Sequence, residues 1–469
     1  MKESRSKYLL KNTAIFAIGN FATKIISFFL IPLYTSSLCT AEYGIVDLVA
    51  TISTVTISII TLNIMESVMR FNMDKDADKD KITKIGMVIL LVSMVVGLIL
   101  IPICRLWDKV DGLEAIIYLY VISLAASQLF LCDLRGKEEL IKYCIGNIAN
   151  TALIVLFNIC FLVIFKLGIT GYLLAYTLAN TLIAVYAFII GKGYKAIFAK
   201  IDKVKMIEMI KYSVVLIPNS FMWWIMNSSD HIMVTSMIGV AANGVYAISY
   251  KVPTLINTFT GIFNQAWGYS AIKEEGSKDE TEYSNKVFAN LISAIMIIGI
   301  CMMSIIKPFL NVYVADEYFE AWKYTPFLIV GIVYITLGTF LSTSYMIHKD
   351  SMGFLLSGSF GAMLNIILNF LLIPLIGVYG AAIATCVSYI GVFSFRVFHT
   401  RKYLKYKVLT RDFCIGTVAL WLSGALMFVD NLVGQICQIL IAFVIIVLFQ
   451  KTWKPLLFRI IDKVKKVKK

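Results

Sequence analysis

Residues 20–50 read NFATKIISFFLIPLYTSSLCTAEYGIVDLVA, an apolar segment with one lysine inside it, a short turn, and a second apolar segment that contains an aspartate. The lysine is Lys24 and the aspartate is Asp47. A charged side chain near the middle of a membrane helix costs roughly 2.5 to 3.5 kcal/mol on insertion scales. Lys24 therefore needs a hydrated cavity, a charged partner or a ligand, and this need is the first indication of function.

The composition is that of a polytopic membrane protein. Hydrophobic residues make up 59% of the 469 residues and charged residues only 15%, which is more apolar surface than a soluble domain of this length can bury. The apolar runs are continuous over the length of a membrane-spanning helix and do not alternate as the strands of a barrel do. The predicted fold class is all-α, with about fourteen transmembrane helices.

The predicted spans divide into two sets of six and an extra pair. The first six lie at 12–34, 44–68, 84–104, 113–132, 144–165 and 168–191. The second six lie at 212–236, 243–270, 287–306, 322–347, 353–375 and 379–399, and the extra C-terminal helix pair lies at 411–429 and 433–450. We accordingly predict a first lobe at 1–200, a second lobe at 201–400, the helix pair at 401–450 and a basic cytoplasmic tail at 451–469.

The turn after the first span recurs after the seventh. Thr35, Ser36, Ala41, Gly44 and Ile45 correspond to Thr235, Ser236, Ala241, Gly244 and Val245. The segment GITGYLLA from Gly168 likewise resembles GVYGAAIA from Gly377, and each opens the sixth span of its half. Two matches in the same order favour a parallel repeat over chance similarity between apolar segments. The chain is therefore predicted to form two pseudo-symmetric six-helix lobes, with the substrate bound between them.

The basic residues indicate how the chain is oriented. If the N-terminus is cytoplasmic, most of the 43 lysines and arginines fall on the inner side. The outer side then receives only Arg105, Lys109, Lys166, Lys307 and Lys323. By the positive-inside rule, this asymmetry predicts a multi-pass protein of the cell (inner) membrane with both termini in the cytoplasm. The net charge of +14 thus follows from membrane topology and does not indicate a nucleic-acid partner.

No arrangement of residues typical of an enzyme is present. The three histidines, His231, His348 and His399, are far apart in the sequence, and neither a nucleophile elbow nor a phosphate-binding loop occurs. The nine cysteines are scattered singly, without the paired spacing of a zinc site or a disulfide framework. The sequence predicts no catalytic residues, no metal site and no cofactor.

Polar side chains lie at helical spacing on four of the predicted spans. In the first span they are Asn20, Lys24 and Ser27, and in the second Asp47, Thr51, Thr54 and Ser58. In the seventh they are Asn219, Trp223, Asn227 and Asp230, and in the eighth Tyr246, Tyr250, Asn257 and Asn264, with Lys251 beside them. Each set follows one face of a helix.

Two interpretations of these faces stay open. Serine, threonine and asparagine side chains join membrane helices through hydrogen bonds worth about 0.6 to 2 kcal/mol each, and we interpret Asn365 and Asn369 in the eleventh span as such contacts or as local caps. An interior lysine is too costly for that role unless it is paired. Lys24 and Lys251 therefore indicate either ion pairs with the aspartates of these faces or a bound ligand.

Two stretches carry a resemblance to a known family. FFLIPLYTSSLCTAEYGIVDLV at 28–49 and NIILNFLLIPLIGVYGAAIATCVSY at 365–389 resemble the first turn and the eleventh and twelfth helices of the Wzx-type oligosaccharide flippases. These flippases belong to the multidrug/oligosaccharidyl-lipid/polysaccharide (MOP) exporter superfamily. The resemblance implies two lobes around a central cavity that opens alternately inward and outward. It also implies transport of undecaprenyl-pyrophosphate-linked glycans for surface polysaccharides such as O-antigen, capsule or teichuronic-type polymers.

The resemblance assigns roles to the polar faces. An anionic pyrophosphate favours cations in a cavity of low dielectric constant, so Lys24 and Lys251, one from each lobe, are predicted to contact it together. Three asparagines complete the predicted substrate site: Asn20, Asn227 and Asn257. Asp47 and Asp230 are predicted to balance the lysines or to take part in coupling to H⁺ or Na⁺. The implied partners are the lipid-linked oligosaccharide, membrane lipids, a coupling cation and the polysaccharide polymerase machinery.

Other functions are weighed against this one. A flippase for the peptidoglycan precursor lipid II shares the helix number and the cationic cavity, so it stays open. A multidrug and toxin extrusion (MATE) antiporter exports organic cations and prefers acidic cavity residues, against which Lys24 argues. A membrane polymerase or ligase usually needs a large external loop, and the links here are short. A structural scaffold does not explain the interior charges.

Overall fold

The computed structural model describes residues 23–74, 76–273, 276–348, 350–429, 431–450 and 454, and no β-strand occurs within these ranges. Helix α1 covers 23–37 of the described part. The helices of the first half are α2 Thr40–Ile60, α3 Ile64–Asn72, α4 Lys79–Gly97, α5 Leu100–Cys104, α6 Glu114–Gly136, α7 Leu140–Asn158, α8 Gly168–Ile190 and α9 Gly193–Ala196. A π-helical segment, Ile159–Ile164, extends α7.

The remaining helices complete the all-α fold class that the composition predicts. They are α10 Lys203–Met237, α11 Val240–Lys251, α12 Thr254–Lys273, α13 Glu280–Tyr313, α14 Thr325–Ile347, α15 Ser351–Ile376, α16 Val378–His399, α17 Arg411–Leu426 and α18 Leu432–Leu448. A 3₁₀ helix, Asp316–Lys323, joins α13 to α14.

Eight helical segments of the described part are long and apolar enough to cross a membrane. They are Thr40–Ile60, Glu114–Gly136, Leu140–Ile164, Gly168–Ile190, Glu280–Tyr313, Thr325–Ile347, Ser351–Ile376 and Val378–Lys402. Leu432–Leu448 is apolar but shorter. The protein is therefore a multi-pass membrane protein, while the number of fourteen spans stays a prediction.

The chain divides into two compact units, Met1–Ser228 and Ser229–Lys469. The division falls inside α10, whereas the predicted lobes meet at residue 200. Helices α10 and α13 contain 35 and 34 residues, about 50 Å of helix at 1.5 Å per residue. Both are longer than a hydrocarbon core of about 30 Å requires, so the apolar spans predicted at 212–236 and 287–306 are only parts of longer helices. The predicted tail at 451–469 lies outside the described residues except for Lys454.

In unit 1, helix α6 is central. It packs against α3 and α8, and α7 packs against α8. Leu131 and Leu134 of α6 meet Ile183 and Ala187 of α8 in a buried apolar cluster. Several neighbouring helices thus cover the apolar side chains of α6. Half of the apolar window of this helix is therefore buried within the protein.

In unit 2, helix α14 is the most enclosed of the eight apolar segments, with 78% of its apolar window buried. It packs against α16, α12 and α13, and α15 packs against α16. Val234 of α10, Tyr246 of α11, Leu328 of α14 and Ala381 of α16 meet in one buried cluster. Ile373 of α15 belongs to the same cluster, which therefore includes residues of α10, α11, α15 and α16, the four helices on which a buried polar site is built.

Three of the predicted spans are interrupted where the sequence predicts continuous helices, and the one at 84–104 is interrupted only at residues 98 and 99, between α4 and α5. The span at 44–68 is split into α2 and α3 because Leu62 and Asn63 adopt left-handed φ angles of 52° and 53°, a conformation that a right-handed helix cannot contain. The span at 243–270 is split into α11 and α12 around Pro253. A proline has no N–H to donate and disfavours helical geometry in the residue before it.

Candidate functional site

The structure separates the predicted substrate residues by exposure. Lys24 is exposed on α1, and Asn257 is exposed on α12. Lys251, the last residue of α11, is partly buried and takes part in contacts within the protein. Asn20 lies outside the described residues, and so does the side chain of Asn227. The assignment of these five residues to a substrate site stays a prediction.

The two aspartates predicted to balance charge differ in their surroundings. Asp47 on α2 is partly buried and is engaged in contacts. Asp230 on α10 is only 2% exposed. A buried carboxylate needs several hydrogen bonds to offset the loss of water, so the surroundings of Asp230 decide what this site can do.

Three hydroxyl groups and one backbone N–H solvate the Asp230 carboxylate. Tyr246 Oη and Tyr250 Oη donate to Oδ2 over 2.7 Å and 2.9 Å. Thr385 Oγ1 donates to the same oxygen over 3.2 Å. The backbone N–H of His231 donates to Oδ1 over 3.0 Å. The carboxylate is therefore held in a fixed orientation by groups from α10, α11 and α16.

An asparagine pair extends this arrangement to α15. Asn369 Nδ2 donates to Asn365 Oδ1 over 2.9 Å, and Asn365 Nδ2 donates to Thr385 Oγ1 over 3.2 Å. Ser229 Oγ also donates to Asn365 Oδ1, over 3.1 Å. We call these residues and the Asp230 carboxylate with its hydroxyl donors the Asp230 network: Ser229, Asp230, Tyr246, Tyr250, Asn365, Asn369 and Thr385.

One oxygen of the Asp230 network has no hydrogen-bond partner among the described residues. It is Asn369 Oδ1, in a side chain that is fully buried. Leaving a buried acceptor unsatisfied costs about 1 to 3 kcal/mol. The network therefore combines a buried carboxyl group with an amide oxygen that can still accept a hydrogen bond or coordinate a cation.

The close approach of α15 and α16 brings the asparagines to Thr385. The two helices are joined at Gly377, whose φ of 62° combined with a ψ of −141° is readily adopted only by glycine. A Cβ atom placed on Gly380 would lie 2.5 Å from the backbone carbonyl carbon of Leu372, so no larger residue fits there. The backbone geometry at this connection thus explains the two glycines of the GVYGAAIA segment, Gly377 and Gly380.

The ligand atoms that the Asp230 network offers are all oxygens. Carboxylate, amide and hydroxyl oxygens suit hard cations, whereas transition metals favour imidazole or thiolate. His231 Nδ1 lies 3.0 Å from Asn243 Oδ1 and is engaged there. Within the part of the chain that the structure describes, no group of three His, Cys, Asp or Glu residues is placed to hold a metal ion. The oxygen atoms of the network fit a hard cation better than they fit a transition metal.

Sequence reasoning identified part of the Asp230 network. Asp230, Tyr246 and Tyr250 lie on the predicted polar faces, and the interpretation of Asn365 as an interhelical contact agrees with its hydrogen bonds to Ser229 and Thr385. Asn369 donates to Asn365 within α15. The predicted face of the eighth span is wrong in one respect, because the break at Pro253 puts Asn257 and Asn264 on a different helix from the two tyrosines. Thr385 was missed, although it lies in the stretch 365–389 that carries the family resemblance.

Unit 1 contains a second buried carboxylate, and this one is paired with a lysine. Asp133 Oδ2 lies 2.6 Å from Lys137 Nζ, and Asn72 Nδ2 donates to Asp133 Oδ1 over 2.9 Å. Lys137 Nζ also donates to the backbone carbonyl of Gly191 over 2.9 Å. The pair thus ties α6 to α3 and α8.

Removal of either charge from this pair should destabilise unit 1. Asp133→Asn leaves a buried ammonium without its counter-ion, which costs about 3 to 5 kcal/mol in buried pairs. We expect a clearly lower melting temperature of the purified protein in detergent, and partial recovery in Asp133→Asn/Lys137→Gln. Arg70→Gln is the matched control, because the Arg70–Asp74 pair has side chains that are 54% and 45% exposed and should matter little. Equal melting temperatures for Asp133→Asn and Arg70→Gln would contradict the prediction.

Known proteins resemble this chain in sequence. The model of a family described as "Polysaccharide biosynthesis protein" matches residues 9–268. An uncharacterized membrane protein of Methanocaldococcus jannaschii is 25% identical, over 69% of this chain and 81% of the relative. The family match covers α1 to α11 and most of α12.

Solved structures resemble the fold. The lipid II flippase MurJ in an inward closed conformation has a TM-score of 0.67 at 11% identity, with 96% of this chain and 100% of MurJ covered. An inward-facing multidrug resistance MATE transporter of the MOP superfamily has a TM-score of 0.65 at 12% identity, with 82% and 97% covered. A MATE transporter of Vibrio cholerae has a TM-score of 0.54 at 12% identity, with 84% and 95% covered. These likenesses confirm the predicted all-α fold class of a membrane transporter, and the family match confirms the predicted resemblance to proteins of polysaccharide biosynthesis.

Proposed function

Because the chain belongs to the polysaccharide biosynthesis protein family, we propose that it is a flippase for lipid-linked oligosaccharides. It moves undecaprenyl-pyrophosphate-linked repeat units from the cytoplasmic to the outer leaflet of the cell membrane by alternating access. The repeat units then serve the assembly of a surface polysaccharide.

The observation that supports this substrate is the presence of a lysine in an apolar segment of each half of the chain, Lys24 and Lys251. Two ammonium groups match the charge of a pyrophosphate, and charge-assisted hydrogen bonds to phosphate are among the stronger polar contacts in proteins. A polyprenyl chain can stay in lipid while only the charged head group and the sugars need a polar path. A flippase for such a molecule needs cationic side chains in its membrane-spanning helices, and it needs no catalytic group.

Two related functions are less well supported. The substrate in the name of the lipid II flippase MurJ is also a lipid-linked molecule. The family match, however, favours polysaccharide precursors. The MATE transporters are named for multidrug resistance, and an organic-cation substrate does not fit interior lysines. The polysaccharide precursor is therefore the substrate class that we adopt.

Deletion of the gene tests this proposal. The deletion strain should lose its surface polysaccharide or accumulate lipid-linked repeat units at the cytoplasmic face of the membrane, since polymerisation needs substrate in the outer leaflet. Polymer is measured by sugar analysis of the cell surface, and the accumulated units by mass spectrometry of lipid extracts. Normal polymer together with altered resistance to cationic drugs would assign the protein to the antiporters instead.

We further propose that the Asp230 network binds the coupling cation, H⁺ or Na⁺. The supporting observations are a buried carboxylate with hydroxyl ligands and the buried oxygen Asn369 Oδ1, which has no partner among the described residues. Na⁺ would be held by oxygens of Asp230, Thr385 and the two asparagines, while a proton would bind to the carboxylate itself. In either case the bound charge neutralises Asp230 and changes the hydrogen bonds that join α10 to α15 and α16.

A further inference from the structure

The segment that connects α8 to the apolar part of α10 exposes large apolar side chains. It comprises residues 192–211 and follows directly after the apolar span Gly168–Ile190. Phe198 is 87% exposed and Val204 80%. The exposed large apolar side chains between residues 192 and 207 are Tyr194, Ile197, Phe198, Ile201, Val204 and Ile207. Because this segment lies outside the predicted spans, such a group of side chains is typical of a binding surface.

This segment is held against unit 1, so its exposed side chains keep a defined direction. Lys84 Nζ of α4 donates to the backbone carbonyl of Ile197 over 2.8 Å. Ser67 Oγ of α3 donates to the backbone carbonyl of Met209 over 3.0 Å, and Met209 itself is fully buried. One side of the segment is therefore packed on α3 and α4, and the other side presents its apolar side chains outward.

Lysines alternate with the apolar side chains. Residues 192–211 contain six lysines and two acidic residues, Asp202 and Glu208. Both acids are engaged within the segment, because Asp202 Oδ1 accepts the backbone N–H of Lys205 and Glu208 Oε2 accepts from Lys205 Nζ, each over 3.0 Å. In the part of the chain that the structure describes, the other five lysines are exposed and have no ion pair or hydrogen bond at Nζ: Lys192, Lys195, Lys200, Lys203 and Lys211.

Unpaired lysines around apolar side chains fit the surface of an anionic membrane. Lysines next to a membrane span are attracted to anionic lipids, and apolar side chains between them enter the boundary between head groups and acyl chains. The distribution of basic residues predicts that the segment lies on the cytoplasmic side. An acidic protein would also match the charge, but the position of the segment directly beside a span favours the lipid surface.

We propose that residues 192–211 bind the anionic lipid surface of the cytoplasmic leaflet. Phe198 and Val204 insert between the lipid head groups, and the five unpaired lysines contact phosphate groups around them. The lipid surface then fixes the beginning of α10, the helix in which the chain passes from unit 1 to unit 2. This binding involves neither the Asp230 network nor the predicted pyrophosphate site, so it does not depend on which substrate is transported.

Hydrogen–deuterium exchange of the full chain tests the proposal. The protein is placed in nanodiscs of phosphatidylcholine, or of equal parts phosphatidylcholine and phosphatidylglycerol, and the exchange of residues 192–211 is followed by mass spectrometry. We expect exchange to be about tenfold slower with phosphatidylglycerol, because several lysines act together on an anionic surface. The difference should decrease at high salt concentration, which screens exposed charges.

A pair of lysine variants shows whether the charges of this segment cause the difference. Lys200→Gln/Lys203→Gln should lose most of it. The matched control is Lys278→Gln/Lys286→Gln, which removes two exposed lysines of unit 2 that are predicted to lie on the same side of the membrane. The control should keep the full difference in the exchange of residues 192–211. An equal loss in both double variants overturns the proposal, since it would come from the total charge of the protein.

Replacement of the apolar side chains separates insertion from charge. Phe198→Ser/Val204→Ser keeps every lysine, and its segment should exchange faster than that of the unaltered protein in nanodiscs with phosphatidylglycerol. Equal exchange of the unaltered protein in the two kinds of nanodisc overturns the proposal and leaves this surface to a protein partner. Exchange in detergent that is as slow as with phosphatidylglycerol also overturns it, because the protein itself would then protect the segment.

Discussion

Alanine at Lys24 or at Lys251 should reduce glycolipid flipping about ten- to a hundredfold. Each lysine is proposed to make a charge-assisted hydrogen bond to the pyrophosphate, and such bonds contribute about 1.5 to 3 kcal/mol. Arginine should cause a smaller loss, because it keeps the charge and can donate two hydrogen bonds to one phosphate. The measurement is the rate of flipping of the lipid-linked oligosaccharide in proteoliposomes that contain equal amounts of each variant.

Two control variants distinguish a loss of substrate binding from the loss of a structural ion pair. Asn257→Ala removes an exposed polar side chain of α12 and should cost less than the loss of either lysine. The double variant Lys24→Asp/Asp47→Lys exchanges the two charges: full recovery of flipping would show that Lys24 serves an ion pair and not the substrate. Near-normal flipping by both alanine variants would place the head group elsewhere, with Asn20, Asn227 and Asn257 as the next residues to test.

Asp230→Asn should abolish the response of the protein to its coupling cation. The substitution keeps the size of the side chain and removes its charge, so the site loses the group that attracts Na⁺ or H⁺. If the ion is Na⁺, the unaltered protein should melt at a higher temperature in NaCl than in choline chloride, because binding to the folded state stabilises it by about 2.7 kcal/mol at a hundred times Kd. If the ion is H⁺, the flipping rate should depend on pH. Asp230→Asn should show neither response.

The same substitution at Asp47 is the matched control for this experiment, since Asp47 was the other predicted coupling residue. Thr385→Val tests the network more finely, because it removes one hydroxyl that bonds the carboxylate over 3.2 Å and should weaken the ion response without abolishing it. Responses to Na⁺ and pH that are unchanged in Asp230→Asn would rule out the network as the coupling site. A response lost in Asp47→Asn alone would move the site to unit 1.

The sequence predicts the fold class well because the apolar runs alone require helices. Most helix positions follow from hydropathy, as α6, α8 and α14 illustrate. The breaks do not follow from the length of the apolar runs, because Leu62 and Pro253 lie inside the predicted spans at 44–68 and 243–270 although the backbone is interrupted at both places. The ends of α10 and α13 were also missed, since polar residues continue a helix beyond its apolar segment.

The Asp230 network was predicted only in part, for a different reason. Asp230 and Thr385 are 155 positions apart in the sequence, and no local pattern places them side by side. The spacing of Tyr246 and Tyr250 predicts a shared face of α11 but not its partner. What brings these groups together is the packing of α10, α11, α15 and α16, which depends on tertiary contacts such as the close approach at Gly380.

In unit 2, the break at Pro253 separates two helices with different contacts, α11 and α12. Tyr246 and Tyr250 hold α11 to the carboxylate of Asp230, whereas α12 begins beyond the proline, where Thr254 Oγ1 bonds the Lys251 carbonyl over 2.9 Å. A movement of α12 about residues 252 and 253 has to release the packing of α12 against α14, but it leaves the hydrogen bonds of Tyr246 and Tyr250 to Asp230 in place. A head group that contacts both Lys251 and Asn257 would connect α11 to α12 across the break. Binding of such a substrate would then fix the angle between α11 and α12.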